Sequence, residues 1–139
     1  MSDCIFCKII AGTIPSATVL ETPDCLAFLD INPAAPGHTL VIPRAHHADL
    51  LAMPSELAGT LIRTTQRVAR GVLAATGASA FHLQMNNGAA SGQLVLHAHF
   101  HVIPRQGGGH TLTWQPGKYA AGALEKMRDD IRAAIPASR

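Results

Sequence analysis

The stretch His97-Ala98-His99-Phe100-His101-Val102-Ile103 determines how the rest of the chain is interpreted. Histidine alternates here with apolar residues, and a strand projects the side chains of residues i, i+2 and i+4 from one face at intervals of about 7 Å. We therefore predict a strand from Leu94 to Ile103 with its three imidazoles in a row. The residues expected on the core side are Leu96, Ala98, Phe100 and Val102. Three solvent-facing histidines are the alternative.

An imidazole row that faces a site suits phosphate chemistry at neutral pH. With a pKa of about 6.5, one ring can act as a neutral nucleophile while another donates to a phosphate oxygen. The preceding Asn87-Gly88-Ala89-Ala90-Ser91-Gly92 loop can expose several backbone N–H groups to an anion. A plain hairpin connection explains the same loop, so the glycines alone do not establish an anion site.

The other patterns in the chain predict an α+β fold in a single domain spanning residues 1–139. Short apolar or β-branched runs predict further strands at Thr18–Glu21, Cys25–Asp30, His38–Pro43 and Ala80–Asn86. Helical spacing begins at Pro54, with Gly77 placed to end the helix, and returns from about Lys118 to Ile135. The two apolar stripes are Leu57, Leu61, Val68 and Val72, and Leu124, Met127, Ile131 and Ile135.

Composition excludes several classes of protein. Of the 139 residues, 47% are apolar and 14% charged, which is typical of a compact soluble domain. The net charge of +2 comes from scattered basic residues, so we expect no nucleic-acid partner. No apolar run approaches the roughly 18 residues of a membrane span, and Met1-Ser2-Asp3-Cys4 lacks the bases of a secretory signal. We expect a cytoplasmic protein without membrane association.

The histidine stretch, together with Asn86-Asn87-Gly88 and Gly92-Gln93 before it, resembles the histidine triad (HIT) family of nucleotide hydrolases and transferases. Ala27-Phe28-Leu29-Asp30-Ile31-Asn32-Pro33 and Pro36-Gly37-His38-Thr39-Leu40-Val41-Ile42-Pro43 match the family's nucleoside-binding strands in order and spacing. The resemblance covers roughly residues 4 to 105. It implies a HIT-like fold, an antiparallel sheet of about five strands with two helices, and a homodimer.

The resemblance also implies a catalytic role for three histidines. His99 would attack the α-phosphate and become transiently nucleotidylated. His101 would contact the phosphate and assist the leaving group, while His38 would support the geometry of the nucleophile. The implied substrates are purine nucleoside phosphoramidates or dinucleotide polyphosphates, cleaved to a nucleoside monophosphate. A nucleotide-binding interaction protein with residual hydrolysis is the alternative function, and a zinc-storage module is a third.

Nucleotide-binding residues follow from the same resemblance. Asp30 looks like the acid that binds the ribose, although an acid at a strand end is often only a turn residue. Phe28 and Ile31 would form the apolar cleft for the base, and Asn86 and Gln93 would bind the phosphate or its leaving group. Relatives usually carry Ser or Thr where this chain has Leu94. Its backbone N–H remains available, so we expect an altered rate or leaving-group preference.

Three cysteines need separate explanations. Cys25 lies in an apolar run and is expected to be a buried small hydrophobe. Cys4 and Cys7 form a CxxC pair, which resembles bacterial-type relatives that bind a structural zinc with two histidines, here His46 and His97. His47 is an alternative ligand. A redox pair, which would favour a helix start after the CxxC, and two ordinary thiols remain open. His82 and His110 are expected to be ordinary strand and loop residues.

Overall fold

The computed structural model describes residues 3–108 and 115–137, and its central element is a five-stranded sheet in which every neighbouring pair is antiparallel. The strands are β1 (Thr18–Glu21), β2 (Cys25–Leu29), β3 (Thr39–Pro43), β4 (Ala80–Gln84) and β5 (Phe100–Arg105). Their order across the sheet is β1-β2-β3-β5-β4, which leaves β1 and β4 at the edges. The predicted α+β class and antiparallel sheet are confirmed.

Both predicted helices are present, and a third is added at the N-terminal side. They are α1 (Ile5–Ile10), α2 (Ser55–Thr76) and α3 (Ala123–Ala134). α2 ends as predicted at Gly77, which adopts a left-handed φ of +73° and donates its N–H to the carbonyl of Leu73. The six residues of α1 are too few to show a helical period, so the sequence did not predict it. None of the described helices is long and apolar enough to cross a membrane.

The sheet is covered on both faces, and the two covers differ. α2 and α3 pack on one face against residues such as Ala27, Val41 and Val102. The other face carries a smaller cluster of Phe6, Leu26, Phe28, Leu40 and Ile42, with α1 supplying Phe6. Because β2 and β3 are buried on both faces, they read as continuous apolar runs rather than as alternating ones.

The predicted histidine strand is only partly a strand. β5 begins at Phe100, and the segment from Leu94 to His99 is irregular. The backbone N–H of Ala98 donates to the carbonyl of His47 at 2.8 Å, so this segment pairs with the loop after β3 instead of with β3 itself. Ala98 and Val102 are buried as predicted, whereas Leu96 is 58% exposed and does not face the core. The prediction that the three imidazoles form a single row along one strand is therefore wrong.

Candidate active site and metal centre

Three of the predicted site histidines lie together where β3 and β5 pair. His38 directly precedes β3, His99 directly precedes β5, and His101 lies within β5 opposite Leu40. The ring centroid of His101 is 5.1 Å from that of His38 and 4.9 Å from that of His99. None of the three residues is more than 9% exposed. The structure thus brings the three predicted catalytic residues into one largely buried cluster.

The backbone determines which nitrogen of His99 carries a proton. Its Nδ1 lies 2.7 Å from the carbonyl oxygen of His97, and a carbonyl can only accept, so Nδ1–H is the donor. Nε2 is then unprotonated and keeps its lone pair. Burial lowers the pKa of the His99 imidazole, so the ring stays neutral at a lower pH than an exposed histidine does. The ring is held as a neutral imidazole with one nucleophilic nitrogen.

A second chain of hydrogen bonds orders His38 and His101. The backbone N–H of Ala34 donates to Nδ1 of His38 at 3.0 Å, so the proton of that ring lies on Nε2. His38 Nε2–H donates to Nδ1 of His101 at 2.9 Å. The proton of His101 is therefore on Nε2, the nitrogen turned away from His38. The backbone N–H of Ala34 thus determines, through the rings of His38 and His101, which nitrogen of His101 carries its proton. We call these three residues the relay.

Asp30 lies beside this relay and is also a turn residue. Its Oδ1 accepts the backbone N–H of Asn32 at 2.9 Å, and its Oδ2 lies 3.8 Å from Nε2 of His38. Burial raises the pKa of the Asp30 carboxyl, and the Asn32 N–H and His99 partly oppose that rise. Asp30 is thus a turn residue, and its role as the acid that binds the ribose stays a prediction, for which the turn bond leaves one carboxylate oxygen.

The two residues expected to form the base cleft have different surroundings. Ile31 is 64% exposed at the start of the loop that follows Asp30. Phe28 is only 4% exposed, and its ring packs edge-on against Phe6 with centroids 5.5 Å apart. Ile31 therefore offers an open apolar surface, whereas Phe28 belongs to the core beneath the site.

Gln93 organises the loop before the histidines. Its buried side chain accepts the N–H of Gly88 at 2.6 Å and donates to the carbonyls of Ala48 and Val95 at 2.6 and 3.0 Å. Asn86, the other amide predicted here, accepts from the Gln84 side chain at 2.9 Å. The amide of Gln93 is thus engaged with three backbone groups, and the residue connects two loops.

Backbone N–H groups that could bind an anion lie in two places before the histidines. Within Asn87–Gly92, the N–H groups of Gly88, Ser91 and Gly92 are all bonded inside the loop or to Gln93. In the described part of the chain, no protein acceptor is found for six other N–H groups, those of Asn87, Ala89 and Ala90 in the loop and those of Leu94, Val95 and Leu96 after it. The Leu94 side chain itself is 94% exposed. Uncommitted donors therefore lie both in the glycine loop and in the irregular segment that leads to His99.

The four predicted metal ligands form a second cluster. Nδ1 of His97 lies 3.5 Å from Cys4 Sγ, 3.6 Å from Cys7 Sγ and 3.2 Å from Nδ1 of His46. Cys7 Sγ lies 3.3 Å from Nδ1 of His46. Tetrahedral zinc with the usual bond lengths places nitrogen ligands about 3.3 Å apart and a nitrogen about 3.6 Å from a sulfur. The residues present therefore fit a tetrahedral two-sulfur, two-nitrogen metal centre.

The surroundings of His97 prepare it as a ligand. Its Nε2–H donates to the carbonyl of Pro43 at 2.8 Å, which leaves Nδ1 unprotonated and aimed at the cysteines. α1 begins at Ile5, between the two cysteines, and Cys4 caps it by accepting the N–H of Cys7. His47 is not part of the cluster.

The remaining cysteine and histidines have ordinary surroundings. Cys25 is fully buried in β2. His82 lies in β4, where its Nδ1 accepts from Nε of Arg105 at 3.2 Å. His110 lies outside the described residues, as does most of the stretch from Gly107 to Trp114.

Sequence reasoning did not identify two residues that the structure places at these clusters. The ring of Phe6, between the two cysteines, packs edge-on against His97 and His99 at centroid distances of 5.8 and 5.0 Å. Tyr119 lies 82 residues from Gly37 in sequence, yet its hydroxyl accepts the Gly37 N–H at 2.9 Å. An apolar residue inside a CxxC was a usable signal for Phe6, whereas no local pattern points to Tyr119.

Acid is expected to destabilise the fold through the two histidines of the relay. Burial lowers the pKa of His38 to about 3 and of His101 to about 4, and repulsion from neighbouring rings and Arg105 adds to the effect on His38. Both titrate near 6.5 in an unfolded chain. Between about pH 6.5 and 4 the unfolded state therefore binds more protons, so stability falls as pH falls, by about 1.4 kcal/mol per pH unit for each ring.

Urea unfolding at several pH values measures this slope. Asp30 acts in the opposite sense at the acidic end, because its pKa is raised on folding. His38→Asn keeps an acceptor for the Ala34 N–H and is expected to reduce the slope between pH 6 and 5 by about 1.4 kcal/mol per unit. An unchanged slope in that variant would show that His38 is not the titrating group.

Comparison with known proteins places these clusters in a family. The HIT domain family model matches residues 11–108. Adenylylsulfatase HINT3 of Arabidopsis thaliana is 40% identical over 105 residues, 76% of this chain, and this match spans about half, 53%, of the plant protein. Adenosine 5'-monophosphoramidase HNT1 of Saccharomyces cerevisiae is 36% identical over 97% of this chain and 84% of its own.

A solved structure extends the likeness to the whole described fold. A Zn-bound histidine triad family protein from Mycobacterium smegmatis superposes with a TM-score of 0.85 and 33% identity, covering 96% of this chain and 94% of its own. Both the resemblance of the histidine stretch and the expected fold are thereby confirmed. Because the HIT domain model matches most of its length, this chain belongs to the histidine triad, or HIT domain, family.

Proposed function

We propose that this protein hydrolyses purine nucleoside phosphoramidates or related nucleotide substrates at the α-phosphate, with Nε2 of His99 as the nucleophile. The observation that carries the proposal is the bond from His99 Nδ1–H to the His97 carbonyl, which fixes an unprotonated Nε2. Beside it, the relay from Ala34 through His38 leaves the proton of His101 on Nε2. A lone pair and a donor side by side are what in-line attack on a phosphate needs.

The reaction takes two displacements at phosphorus. In the first, His99 Nε2 forms a bond to the α-phosphorus while the bond from phosphorus to the leaving nitrogen breaks, and the amine departs with a proton from Nε2 of His101, which the water of the second step replaces. The N–H of His101 supports the leaving atom and the phosphate oxygen. In the second, a water oxygen replaces Nε2 on phosphorus and the water releases a proton. One water is consumed, and the products are an amine and a nucleoside monophosphate.

Binding of the nucleotide is assigned to residues around this centre. The second carboxylate oxygen of Asp30 accepts from the ribose hydroxyls, and Ile31 provides the exposed apolar surface for the base, with Phe28 beneath it. The uncommitted N–H groups from Leu94 to Leu96 suit the phosphate oxygens. Asn86 lies beside Gly92, before this segment, and the Gln93 side chain holds the segment by donating to the Val95 carbonyl.

Two named relatives support this class of substrate. One is called an adenylylsulfatase and the other an adenosine 5'-monophosphoramidase, so both names contain an adenosine nucleotide or its adenylyl group. The two names imply different leaving groups, a sulfate and an amine. This difference fits a site that binds the nucleotide and is less selective for the group attached to its phosphate. In this chain Leu94 adds an apolar side chain where relatives usually have a hydroxyl, and we propose that it shifts the leaving-group preference.

Zinc is the metal proposed for the cluster of Cys4, Cys7, His46 and His97. The separations among the donor atoms fit tetrahedral zinc, and a similar family member is described as Zn-bound. Bound there, zinc supplies structural cross-linking only, because all four positions of its shell are filled by protein. Thiolate ligands stay available in a reducing compartment, which supports a cytoplasmic location.

We propose a single HIT domain over residues 1–139 that forms a homodimer through its free sheet edge. β4 is an edge strand, and its Phe81 and Leu83 are 39% and 42% exposed. An unpaired edge with apolar side chains is suited to pairing with a second copy. Sedimentation equilibrium is expected to give twice the chain mass, and Leu83→Lys to give the monomer. A monomeric wild type at micromolar concentration would contradict the proposal.

Mass spectrometry of the protein mixed with an adenosine phosphoramidate tests the proposed reaction. We expect AMP release together with a transient adduct of one adenylyl group that maps to His99. Binding of AMP without turnover would favour the alternative, a nucleotide-binding protein whose partner senses the bound state.

A further inference from the structure

A segment near the C-terminus crosses the loop that carries Asp30 and His38. We call residues 115–121 the strap. The N–H of Gly117 donates to the carbonyl of Pro33 at 2.8 Å. A Cβ at position 117 would lie 2.8 Å from that same oxygen, so only glycine allows this approach without a shift. Two residues later, the Tyr119 hydroxyl accepts the N–H of Gly37 at 2.9 Å. The strap is thus bonded to the loop at two points, Pro33 and Gly37.

The Tyr119 hydroxyl still has a donor to offer. It accepts from Gly37, and within the described residues its own O–H has no acceptor. The side chain is half-buried rather than solvated. Its partner Gly37 directly precedes His38, whose carbonyl accepts the Asp30 N–H at 3.0 Å, so the hydroxyl is bonded next to the residue that pairs with that acid. Burial raises the pKa of the phenol, the bond from Gly37 opposes this and the Asp30 carboxylate adds to it. A half-buried hydroxyl whose proton has no protein partner suits a ligand bound next to Asp30.

We propose that Tyr119 is a further nucleotide-binding residue, whose hydroxyl donates to a ribose oxygen that Asp30 holds. This inference rests on the proposed function. A carboxylate only accepts, so Asp30 takes the hydrogens of the sugar hydroxyls and leaves their oxygens needing a donor. Tyr119 supplies the missing donor. The two residues together would distinguish a ribose from a sugar without hydroxyls.

A second interpretation makes Tyr119 a purely structural residue. As the acceptor for Gly37, it holds the loop in which the Ala34 N–H orders His38. Loss of that role would lower activity equally on every substrate, because the relay to His101 is common to all of them. The ribose contact instead predicts a loss confined to substrates that carry the hydroxyls, and sugar variants separate the two interpretations.

The test compares Tyr119→Phe with wild type on an adenosine phosphoramidate and on its 2',3'-dideoxy analogue. We expect kcat/KM to fall about 5- to 20-fold on the ribose substrate, the loss of a hydrogen bond within a binding site. On the dideoxy analogue we expect less than a twofold change. An equal loss on both substrates, or no loss on either, would overturn the ribose contact. Thr60→Val, which removes a hydroxyl from α2 on the far face of the sheet, is the matched control.

Calorimetric binding of AMP and dideoxy-AMP separates this inference from the proposed function. Tyr119→Phe keeps the ring and its packing, and a melting curve checks that it folds. If wild type binds AMP more tightly than dideoxy-AMP and the variant loses that preference, the inference stands even for a protein without turnover. If wild type binds AMP and the variant keeps the full preference, the inference alone is wrong. If wild type neither binds AMP nor releases it from a phosphoramidate, both are wrong.

Discussion

His99→Ala is expected to lower kcat on an adenosine phosphoramidate by about 10³-fold or more while the Kd for AMP changes only a few-fold. Nε2 of His99 is the nitrogen that the His97 carbonyl leaves unprotonated, and the variant removes it without removing Asp30 or the backbone donors. Loss of a nucleophile affects the transition state far more than the bound nucleotide. Stopped assays for AMP release and calorimetry for AMP binding measure the two quantities.

Two further variants make this result specific. His82→Ala removes an imidazole in β4 that interacts with Arg105, and it is expected to retain wild-type turnover. In His99→Gly, added imidazole is expected to restore part of the rate by occupying the vacated space. If His99→Ala kept a tenth of wild-type turnover, another group would be the nucleophile and the proposed reaction would be wrong.

Where the sequence predicted the fold well, one physical signal was sufficient. β2 and β3 are buried on both faces, so apolar runs bounded by turn residues marked them to within one residue at each end. The strand predicted from Leu94 to His99 is wrong because alternation of polar and apolar residues is not sufficient for a strand without a partner strand to pair with. That segment bonds to the loop after β3. A contact between two loops produces no periodic pattern of apolar residues in the sequence. Leu96 is consequently exposed although its position in the alternation predicted burial.

The site residues were found from their types, and their arrangement was not. The alternation suggested one face for His97, His99 and His101. In the structure, His97 turns its Nδ1 to the cysteines, whereas the ring of His101 lies between those of His38 and His99. This division depends on single backbone carbonyls, those of Pro43 and His97, whose positions follow from the tertiary fold. Backbone partners carry no side-chain signature, and Tyr119 is too distant in sequence to be associated with its loop.

Cys7→Ser is expected to lose the bound metal and to lower Tm by about 10 °C or more. The cluster joins α1 to the segment just before His99, and α1 also contributes Phe6, whose ring packs against His97 and His99. Because binding of a structural zinc is coupled to folding, the loss of one ligand removes much of that stabilisation. A Tm loss of this size would exceed that of an ordinary surface substitution.

Elemental analysis and melting curves on three proteins decide this prediction. We expect one zinc per chain in wild type and none in Cys7→Ser. Cys25→Ala, which removes the remaining thiol from the opposite side of β2, is expected to keep its zinc. Chelation of wild type should lower its Tm toward that of Cys7→Ser and leave the variant unchanged. A wild type without metal, or a Cys7→Ser variant that retains one zinc, would contradict the assignment, and several zinc ions per chain would favour a storage role.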